Sequence, residues 1–308
     1  MELHSSRRTK TTRSSFLKPT DIVRIVCPRC HGKLQFRGTL LDGHIDRGEL
    51  PCERCGSTWR VENGMCHLFV EEKVEGTDRM MRFIYNYFSV FHDMSVATLL
   101  PLFQVGSPNI TEDAFRNGYM PRLDLRSLKP HSDGSPVRIL EVGIGTGANL
   151  RYVRHDLPAR LPVEIWGVDL SPGMLSVLQR KLRRQCDSEV RLLMADAHVL
   201  PFPDHSFDRV FHVGGINGFR DAKQALAEMA RVAKPGTPIV VADEQLDHSQ
   251  KPNLYHQAMF KMVTWYDNNP HAPVDALPEG AEDVHVDQLS LFLYSLAFRM
   301  PSEERRTQ

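Results

Sequence analysis

The sequence predicts an α/β protein with an open, mostly parallel sheet, preceded by a small cysteine-rich module. From residue 137 onward, short apolar segments alternate with amphipathic helical segments, which is the order found in parallel sheets built from β–α–β units. Between residues 27 and 55, two Cys-x-x-Cys pairs stand in a segment with few residues for a core. The 308 residues are enough for one large and one small domain.

The α/β part begins with an apolar strand at 137–142, which runs into a glycine-rich turn at 143–147 and then into a helix from Asn149. Further strands are predicted at 163–168, 190–194, 207–213 and 238–242, helices at 172–185 and 221–233, and a closing antiparallel hairpin at 284–289 and 291–299. Ligands of such sheets lie beyond the carboxyl ends of the strands. The functional residues are therefore expected at those ends.

The glycine-rich turn is a predicted cofactor loop. Glycines at alternate positions remove the side chains that would hold a ligand away from the backbone, and the following helix offers unpaired N–H groups. Gly143, Gly145 and Ala148 also satisfy the dinucleotide pattern G-x-G-x-x-G/A, and Asp169 lies at the distance of a ribose-binding acid. An NAD(P)-dependent enzyme is therefore one interpretation of this loop.

Three acidic residues at successive strand ends favour a different cofactor. Glu141, two residues before the first glycine, would repel a pyrophosphate but can contact an ammonium group. Asp169, after the second strand, has two oxygens for the hydroxyls of a ribose. Asp196, after the third strand, can accept the exocyclic amine of an adenine. Together they suit a cationic nucleoside without phosphates, and S-adenosylmethionine (SAM) is such a molecule.

The blocks at 140–150, 167–175, 195–211 and 225–244 carry a family resemblance. On these blocks, residues 112–300 resemble a class I SAM-dependent methyltransferase, of the branch that contains the ubiquinone and menaquinone C-methyltransferases. The resemblance implies a seven-stranded Rossmann-like methyltransferase sheet with a terminal antiparallel hairpin. It also implies a SAM site lined by Glu141, Gly143, Gly145, Asp169, Leu170, Met174, Asp196, Ala197, Val213 and Gly214.

Two departures from methyltransferase patterns bear on the lid and the substrate. Family members often carry an Ala-x-x-Tyr-Asp segment whose tyrosine covers the cofactor. Here His92 stands in the tyrosine position, so Tyr85 or Tyr87 is expected to cover the cofactor instead. The N-methyltransferase signature Asn/Asp-Pro-Pro-Tyr is replaced by Val-Gly-Gly-Ile-Asn-Gly at 213–218, which disfavours an amine or amide acceptor of that type.

Methyl transfer from a sulfonium is an in-line displacement in which positioning and exclusion of water do most of the work, so a protein base is optional. His212 and Glu244 flank the ends of the fourth and fifth strands and are the predicted catalytic residues. An aromatic-rich insertion at 245–282 is predicted to roof an apolar pocket. We therefore expect C- or O-methylation of a small apolar or aromatic metabolite.

The cysteine-rich module is predicted to bind zinc. Its four candidate ligands, in two pairs separated by twenty-one residues, are Cys27, Cys30, Cys52 and Cys55. Four thiolates close a tetrahedral shell with no open position, which indicates a structural site rather than a catalytic one. A disulfide arrangement would need an oxidising compartment, and no secretory signal supports one. Residues 24–71 resemble the zinc-ribbon activator subunits of tRNA and release-factor methyltransferases, with Trp59 at their usual aromatic position.

The predicted segments are a disordered basic tail at 1–20, the zinc ribbon at 21–75, N-terminal helices and a linker at 76–135, the methyltransferase domain at 136–300 and a tail at 301–308. The formal net charge is zero, so no long-range attraction to nucleic acid or to an anionic membrane is built into the molecule. The sequence has neither an apolar run of about 18 residues nor the apolar segment of a signal peptide. We therefore expect a cytoplasmic protein without a membrane span.

Two further functions stay open at this point. The ribbon and the basic tail favour an rRNA or tRNA methyltransferase, against which stands the zero net charge. A non-catalytic SAM-fold protein that acts as a binding partner is the second alternative, and the intact acidic positions argue against it. A small-molecule substrate is expected ahead of RNA, and the ribbon offers a surface for a protein partner.

Overall fold

The computed structural model describes residues 16–108, 111–185, 187 and 189–302. The predicted tails at 1–20 and 301–308 lie largely outside this range. Within it, Phe16 and Leu17 are buried and a 3-10 helix spans Pro19–Arg24, so residues 16–20 of the predicted disordered tail are ordered. The tail as a whole is polar and basic, so its composition gives no sign that these two apolar residues are buried. The Leu17 carbonyl accepts a hydrogen bond from the Ile45 N–H at 2.8 Å, which fixes the segment to the ribbon.

The ribbon is an antiparallel meander of four strands. They are β1 (Arg37–Leu41), β2 (His44–Pro51), β3 (Thr58–Glu62) and β4 (Met65–Leu68). Asp42-Gly43 joins the first two strands and Asn63-Gly64 joins the last two, and all four turn residues have positive φ. Two-residue turns of this composition match the twist of the strands they connect. The local sequence therefore accounts for both hairpins.

The α/β part contains five parallel strands and a closing antiparallel pair. The strands are β5 (Val137–Val142), β6 (Val163–Asp169), β7 (Val190–Ala195), β8 (Arg209–Val213), β9 (Pro238–Glu244), β10 (Glu282–Gln288) and β11 (Leu293–Arg299). The parallel strands are almost entirely buried, which agrees with their continuous apolar sequences. The helices are α1 (Gly76–Phe88), α2 (His92–Phe103), α3 (Glu112–Tyr119), α4 (Leu150–Asp156), α5 (Pro172–Gln185), α6 (Ala222–Val232) and α7 (Leu254–Val263).

The prediction of a seven-stranded sheet with a separate ribbon was wrong in one respect. The ribbon continues the sheet, which has eleven strands in the order β1-β2-β3-β4-β7-β6-β5-β8-β9-β11-β10. Strand β4 pairs in parallel with β7, with His67 opposite Met194 and Leu68 opposite Ala195. Without β4, strand β7 would present an open row of backbone groups at the edge of the sheet. A parallel pairing between distant segments leaves no turn signal in the sequence, so the spacing of residues could not reveal it.

The segment between the ribbon and β5, predicted as N-terminal helices and a linker, forms a helical cap. Helices α1 and α2 are separated by a break after Phe88. Helix α3 begins after Thr111, a residue type that favours the N-cap position, and the Thr111 side chain accepts a hydrogen bond from the Ala114 N–H at 3.2 Å. No helix in the described part of the chain is long and apolar enough to cross a membrane.

Candidate functional site

A cavity of about 410 Å³ opens at the carboxyl ends of the parallel strands, between the sheet and the helices α1, α2 and α3. This is the position at which open α/β sheets bind ligands. Every residue assigned to the cofactor or to catalysis by the sequence lines it: Glu141, Gly143, Gly145, Asp169, Leu170, Met174, Asp196, Ala197, His212, Val213, Gly214 and Glu244. The fold therefore brings the predicted set together.

The glycine loop takes a shape that other residues would strain. Gly143, Gly145 and Gly147 have φ values of 68°, 54° and 77°, and a Cβ at Gly147 would lie 2.5 Å from Leu178. Asp169 ties the loop to the end of β6, because one carboxylate oxygen accepts the Gly145 N–H at 2.8 Å and the other accepts the Ser171 N–H at 2.7 Å. Each oxygen keeps a lone pair for a further donor, as a ribose hydroxyl requires.

Glu141 is a buried carboxyl group with one open oxygen. Its Oε1 accepts the Asn149 side-chain N–H at 2.5 Å, whereas Oε2 has no hydrogen-bond partner among the described residues. Burial raises the pKa of Glu141 to about 8, against the opposing effects of Asn149 and Arg116. A cation placed at Oε2 would supply the missing partner and favour the charged form. The orphaned oxygen therefore fits the ammonium group of SAM.

Arg116 is a candidate cofactor residue that the sequence interpretation missed. It lies on α3, is buried, lines the same cavity, and donates hydrogen bonds to Glu112 and to the Asn149 side-chain oxygen. Asn149 thus connects this guanidinium to the Glu141 carboxyl. An acid and a guanidinium side by side suit the ammonium and carboxylate of an amino acid. The only signal in the sequence is a cation next to the apolar Phe115 on a short helix, which is too weak to single out.

Asp196, at the end of β7, is a charged counterpart of Glu141. Its Oδ1 accepts the His198 backbone N–H at 2.9 Å and the His198 Nδ1–H at 2.6 Å, and its Oδ2 accepts the Arg220 guanidinium at 2.7 Å. Burial alone would raise the pKa of Asp196, but these hydrogen bonds outweigh it and lower the pKa to about 2. Asp196 is therefore an ionised acceptor at the cavity wall.

His212 is buried at the end of β8, and its two ring nitrogens differ. The Nδ1 lies 2.7 Å from the Val142 carbonyl oxygen, which can only accept, so Nδ1 carries the proton. The Nε2 has no partner among the described residues. Burial lowers the pKa of His212, so the ring is neutral at pH 7 and Nε2 has a free lone pair. A neutral imidazole of this kind can accept a proton from a bound molecule.

Glu244 lies at the end of β9 beside Asp243. Burial and the neighbouring Asp243 carboxylate raise the pKa of Glu244 well above its usual value, and the Tyr266 hydroxyl donates to its Oε2 at 3.1 Å. Asp243 itself accepts the backbone N–H groups of Gly215 and Asn217 at 3.0 and 2.8 Å and so fixes the turn after β8. Burial therefore favours the neutral form of Glu244, which can donate a hydrogen bond.

The cap helices complete the cavity. Tyr85 and His92 both line it, with ring centroids 5.9 Å apart, whereas Tyr87 is 66% exposed. Of the two tyrosines expected to cover the cofactor, Tyr85 lines the cavity and Tyr87 does not. At the start of α2, the Asp93 carboxylate accepts hydrogen bonds from the Thr146 hydroxyl and from Lys181, which ties the cap to the glycine loop.

The second candidate centre is the cysteine cluster of the ribbon. The four predicted sulfur atoms lie within 4.8 Å of one another, with 3.7 Å between Cys27 and Cys55 and 3.5 Å between Cys30 and Cys52. A tetrahedron of thiolates at about 2.3 Å from zinc has sulfur–sulfur edges of about 3.8 Å. The five cysteines in the described residues are all free of disulfides. The donor set therefore fits a structural zinc ion.

Comparison with known proteins agrees with both centres. A family model described as a methyltransferase domain matches residues 140–241, and one described as Trm112p-like protein matches residues 25–64. A demethylmenaquinone methyltransferase of Thermus thermophilus is 39% identical over 109 residues, which are 35% of this chain and 48% of that protein. The corresponding protein of Tropheryma whipplei is 31% identical over 173 residues, 54% of this chain and 68% of that protein.

Among solved structures, Haemonchus contortus phosphoethanolamine N-methyltransferase 2 in complex with S-adenosyl-L-methionine aligns with 70% of this chain and 60% of its own, at a TM-score of 0.50 and 17% identity. This likeness concerns the fold alone. The methyltransferase match decides the cofactor in favour of SAM over a dinucleotide, and the ribbon match with the four-cysteine cluster supports zinc. The chain belongs to the SAM-dependent methyltransferases of the demethylmenaquinone and ubiquinone/menaquinone C-methyltransferase family, and it carries a Trm112-like zinc ribbon ahead of its methyltransferase domain.

Proposed function

We propose that this protein transfers a methyl group from SAM to a ring carbon of a small hydroxylated aromatic compound of the quinol type. The observation that carries this proposal is the character of the cavity. The walls are mostly apolar, and the polar side chains near the ends of β8 and β9 include the neutral His212 imidazole and Glu244, whose neutral form is favoured by burial. The apolar side chains of the cap that line it are Val96, Leu99, Leu100 and Phe103.

The named relatives support the choice of acceptor. They are demethylmenaquinone methyltransferases. The chain spans 48% of the length of the Thermus thermophilus protein and 68% of the length of the Tropheryma whipplei protein. A quinol offers a flat apolar ring, which suits the apolar walls, and hydroxyl groups, which suit His212 and Glu244. The absence of the amine-binding signature at 213–218 agrees with a carbon acceptor rather than a nitrogen.

Each end of the cofactor has a candidate partner in this chain. Glu141 and Arg116 would hold the ammonium and carboxylate of the methionyl part, with Val213 and Gly214 beside them. Asp169 would accept the ribose hydroxyls, and Asp196 the adenine amine. The apolar contacts to the adenosine would come from Leu170, Met174 and Ala197. When bound, SAM supplies an electrophilic methyl group on a sulfonium.

The chemistry of the remaining side chains fits an in-line displacement by a ring carbon. His212 Nε2 accepts the proton of the phenolic hydroxyl, which increases the electron density of the ring carbon that attacks, and the sulfur–methyl bond breaks with release of S-adenosylhomocysteine. The methylated carbon then loses its hydrogen as the ring regains aromaticity with a proton on its oxygen, and the proton on His212 passes to solvent. The neutral Glu244 donates a hydrogen bond to a second ring oxygen without adding a negative charge. The cap, with Tyr85 over the site, keeps water away from the reacting atoms.

An untargeted labelling experiment tests this proposal. The protein is incubated with methyl-labelled SAM and with host extract divided into small-molecule, RNA and protein fractions. We expect label in an apolar small molecule. Label confined to RNA would replace the proposal with the alternative of an RNA methyltransferase, and no transfer to any fraction would favour the non-catalytic alternative. The cytoplasmic location stays a prediction, which cell fractionation tests.

A further inference from the structure

One guanidinium at the edge of the cavity joins two carboxylates from distant parts of the chain. Arg220 lies between β8 and α6, and its Nη2 donates to Asp196 Oδ2 at 2.7 Å. Its Nη1 and its backbone N–H both donate to Asp78, the latter to Oδ1 at 3.2 Å. The Arg220 side chain is 18% exposed, and the two acids are 5% and 6% exposed. These contacts are therefore largely shielded from water.

Asp78 is the point at which the cap is fixed to this cluster. It lies in the first turn of α1 and is the one buried residue of that helix, all of which is described. The same helix contributes Met81, Arg82 and Tyr85 to the cavity wall. Near its other end, α1 packs so closely on the start of α5 that a Cβ at Gly173 would lie 2.5 Å from the Asn86 carbonyl oxygen. The helix thus lies over the cofactor cavity, with Arg220 holding its beginning.

Asp196 depends on the same guanidinium for its orientation. Its Oδ1 is held by His198, whose Nδ1 is 2.6 Å from it and 3.6 Å from Asp78 Oδ2. The Asp221 N–H donates to His198 Nε2 at 3.3 Å, so this one ring is held from both sides and faces both acids. Removal of Arg220 would leave two buried carboxylates that share one imidazole. Their repulsion would turn Asp196 and move Asp78 outward with α1.

We propose that Arg220 is a positioning residue of the cofactor site, which closes α1 over the adenosine half of the cavity and aims Asp196 at the exocyclic amine of the adenine. The inference rests on the proposed function, since it concerns the same SAM site. In this proposal Arg220 touches neither the reacting atoms nor the substrate. Its contact with Asp78 sets the affinity for the cofactor through the position of α1. Its contact with Asp196 sets the preference for adenine over a base without the exocyclic amine.

The test compares the product S-adenosylhomocysteine with its inosine counterpart, which carries an oxygen in place of the exocyclic amine. Dissociation constants are measured by calorimetry for the wild type, R220Q, R220K, D78N and R122Q. The control is Arg122, which forms a two-bond pair with Asp287 at 2.7 and 2.9 Å, is 35% exposed where Arg220 is 18% exposed, and does not line the cavity. Its loss reports what an Arg–Asp pair outside the cavity contributes to the fold.

We expect the wild type to prefer the adenine ligand at least tenfold. R220Q should weaken adenine binding at least tenfold and reduce the preference below threefold, whereas R122Q should leave both values within twofold. D78N keeps the Arg220–Asp196 contact, so it should lose about fivefold in affinity and retain the preference. R220K keeps the charge but not the planar fork and should fall between R220Q and the wild type.

Two results with R220Q would overturn the inference. An unchanged preference in R220Q would show that Asp196 does not depend on Arg220. Equal losses in R220Q and R122Q would show a contribution to the fold only. A wild type that binds neither ligand would remove the proposed function itself, which is a different failure. If R220Q does not fold, D78N and R220K decide, because loss of adenine preference in D78N, or wild-type values in both, would also contradict the proposal.

Discussion

The zinc centre and the cofactor cavity are both built from a few ionisable side chains, but these side chains come together in different ways. The four cysteines lie on two local turns, so their spacing in the sequence already contains most of the geometry. The acids of the cavity lie at the ends of separate strands, and distant residues such as Arg116 and Arg220 complete their surroundings. A local motif therefore predicts a ligand set, whereas an assembled site depends on the whole sheet.

The charge states of the acids show what this difference means. Glu141 and Asp196 occupy comparable strand ends, yet burial raises the pKa of Glu141 to about 8, and hydrogen bonds from His198 and Arg220 help to lower the pKa of Asp196 to about 2. In sequence both are simply acids at the end of a strand. Their different protonation follows from partners contributed by other segments of the chain.

The largest expected effect comes from breaking the local site. Cys27→Ser removes one of four thiolates, and because zinc binding is coupled to folding, the ribbon should lose its metal. Since β4 covers the edge of β7, we expect the unfolding free energy of the whole protein to fall by about 5 kcal/mol or more. Metal analysis and chemical denaturation measure both quantities.

Cys66→Ala is the matched control for this variant. Cys66 is buried in β4 but lies outside the four-sulfur cluster, so the Cys66→Ala protein should keep the zinc content of the wild type. A Cys27→Ser protein without zinc that unfolds like the wild type would contradict the structural role of the metal.

The second effect concerns the assembled site alone. Asp169→Ala removes the carboxylate that would accept two ribose hydroxyls and that now binds the Gly145 N–H. Two charge-assisted hydrogen bonds at about 2 kcal/mol each correspond to about a 1,000-fold loss of SAM affinity. Calorimetry measures the change, and Asp204→Ala, which removes an exposed acid paired with Arg231, serves as the control. Wild-type affinity in the Asp169 variant would remove this residue from the cofactor site.

The third effect should appear in turnover rather than in cofactor binding. In His212→Asn, the amide can still donate to the Val142 carbonyl, but the free Nε2 lone pair is lost. Loss of a general base should lower kcat about 100-fold. The dissociation constant of SAM should stay within threefold of the wild-type value. A variant that lost cofactor affinity and kept its kcat would assign His212 to binding instead.

The smallest effect concerns the pH dependence of Glu141. Its folded-state pKa is raised, so the stability contributed by the neutral acid is present below the unfolded pKa of about 4.5 and is lost as the pH rises towards 8. Glu141→Gln should remove this dependence of stability on pH. At pH 7 the wild-type acid must first lose its proton to pair with the ammonium group, which costs about 1.4 kcal/mol and offsets part of the gain from the ion pair. The SAM affinity of the variant should therefore fall only about tenfold.

Calorimetry in buffers with different ionisation enthalpies supplies the accompanying readout. The wild type should release close to one proton per SAM bound at pH 7, and Glu141→Gln should release fewer. Equal proton release by the two proteins would mean that Glu141 does not receive the cation.

Much of the fold was predictable because its signals are local. Helix α5 spans Pro172–Gln185 as predicted, and Thr111 caps α3 as its sequence indicates. The pairing of β4 with β7 was not predictable, since it joins segments more than a hundred residues apart without a connecting turn. The same limit applies to Arg116 and Arg220. A single cation on a short helix or after a loop shows its function only when the fold places it beside an acid.

The proposed carbon methylation is tested most directly by the position of the methyl group in the product. The protein is incubated with SAM labelled with carbon-13 in its methyl group and with a reduced, demethylated naphthoquinone, and the product is examined by NMR. We predict a labelled methyl resonance on a ring carbon that is absent with the Asp169→Ala protein. A labelled methoxy resonance, or transfer that does not depend on Asp169, would contradict it.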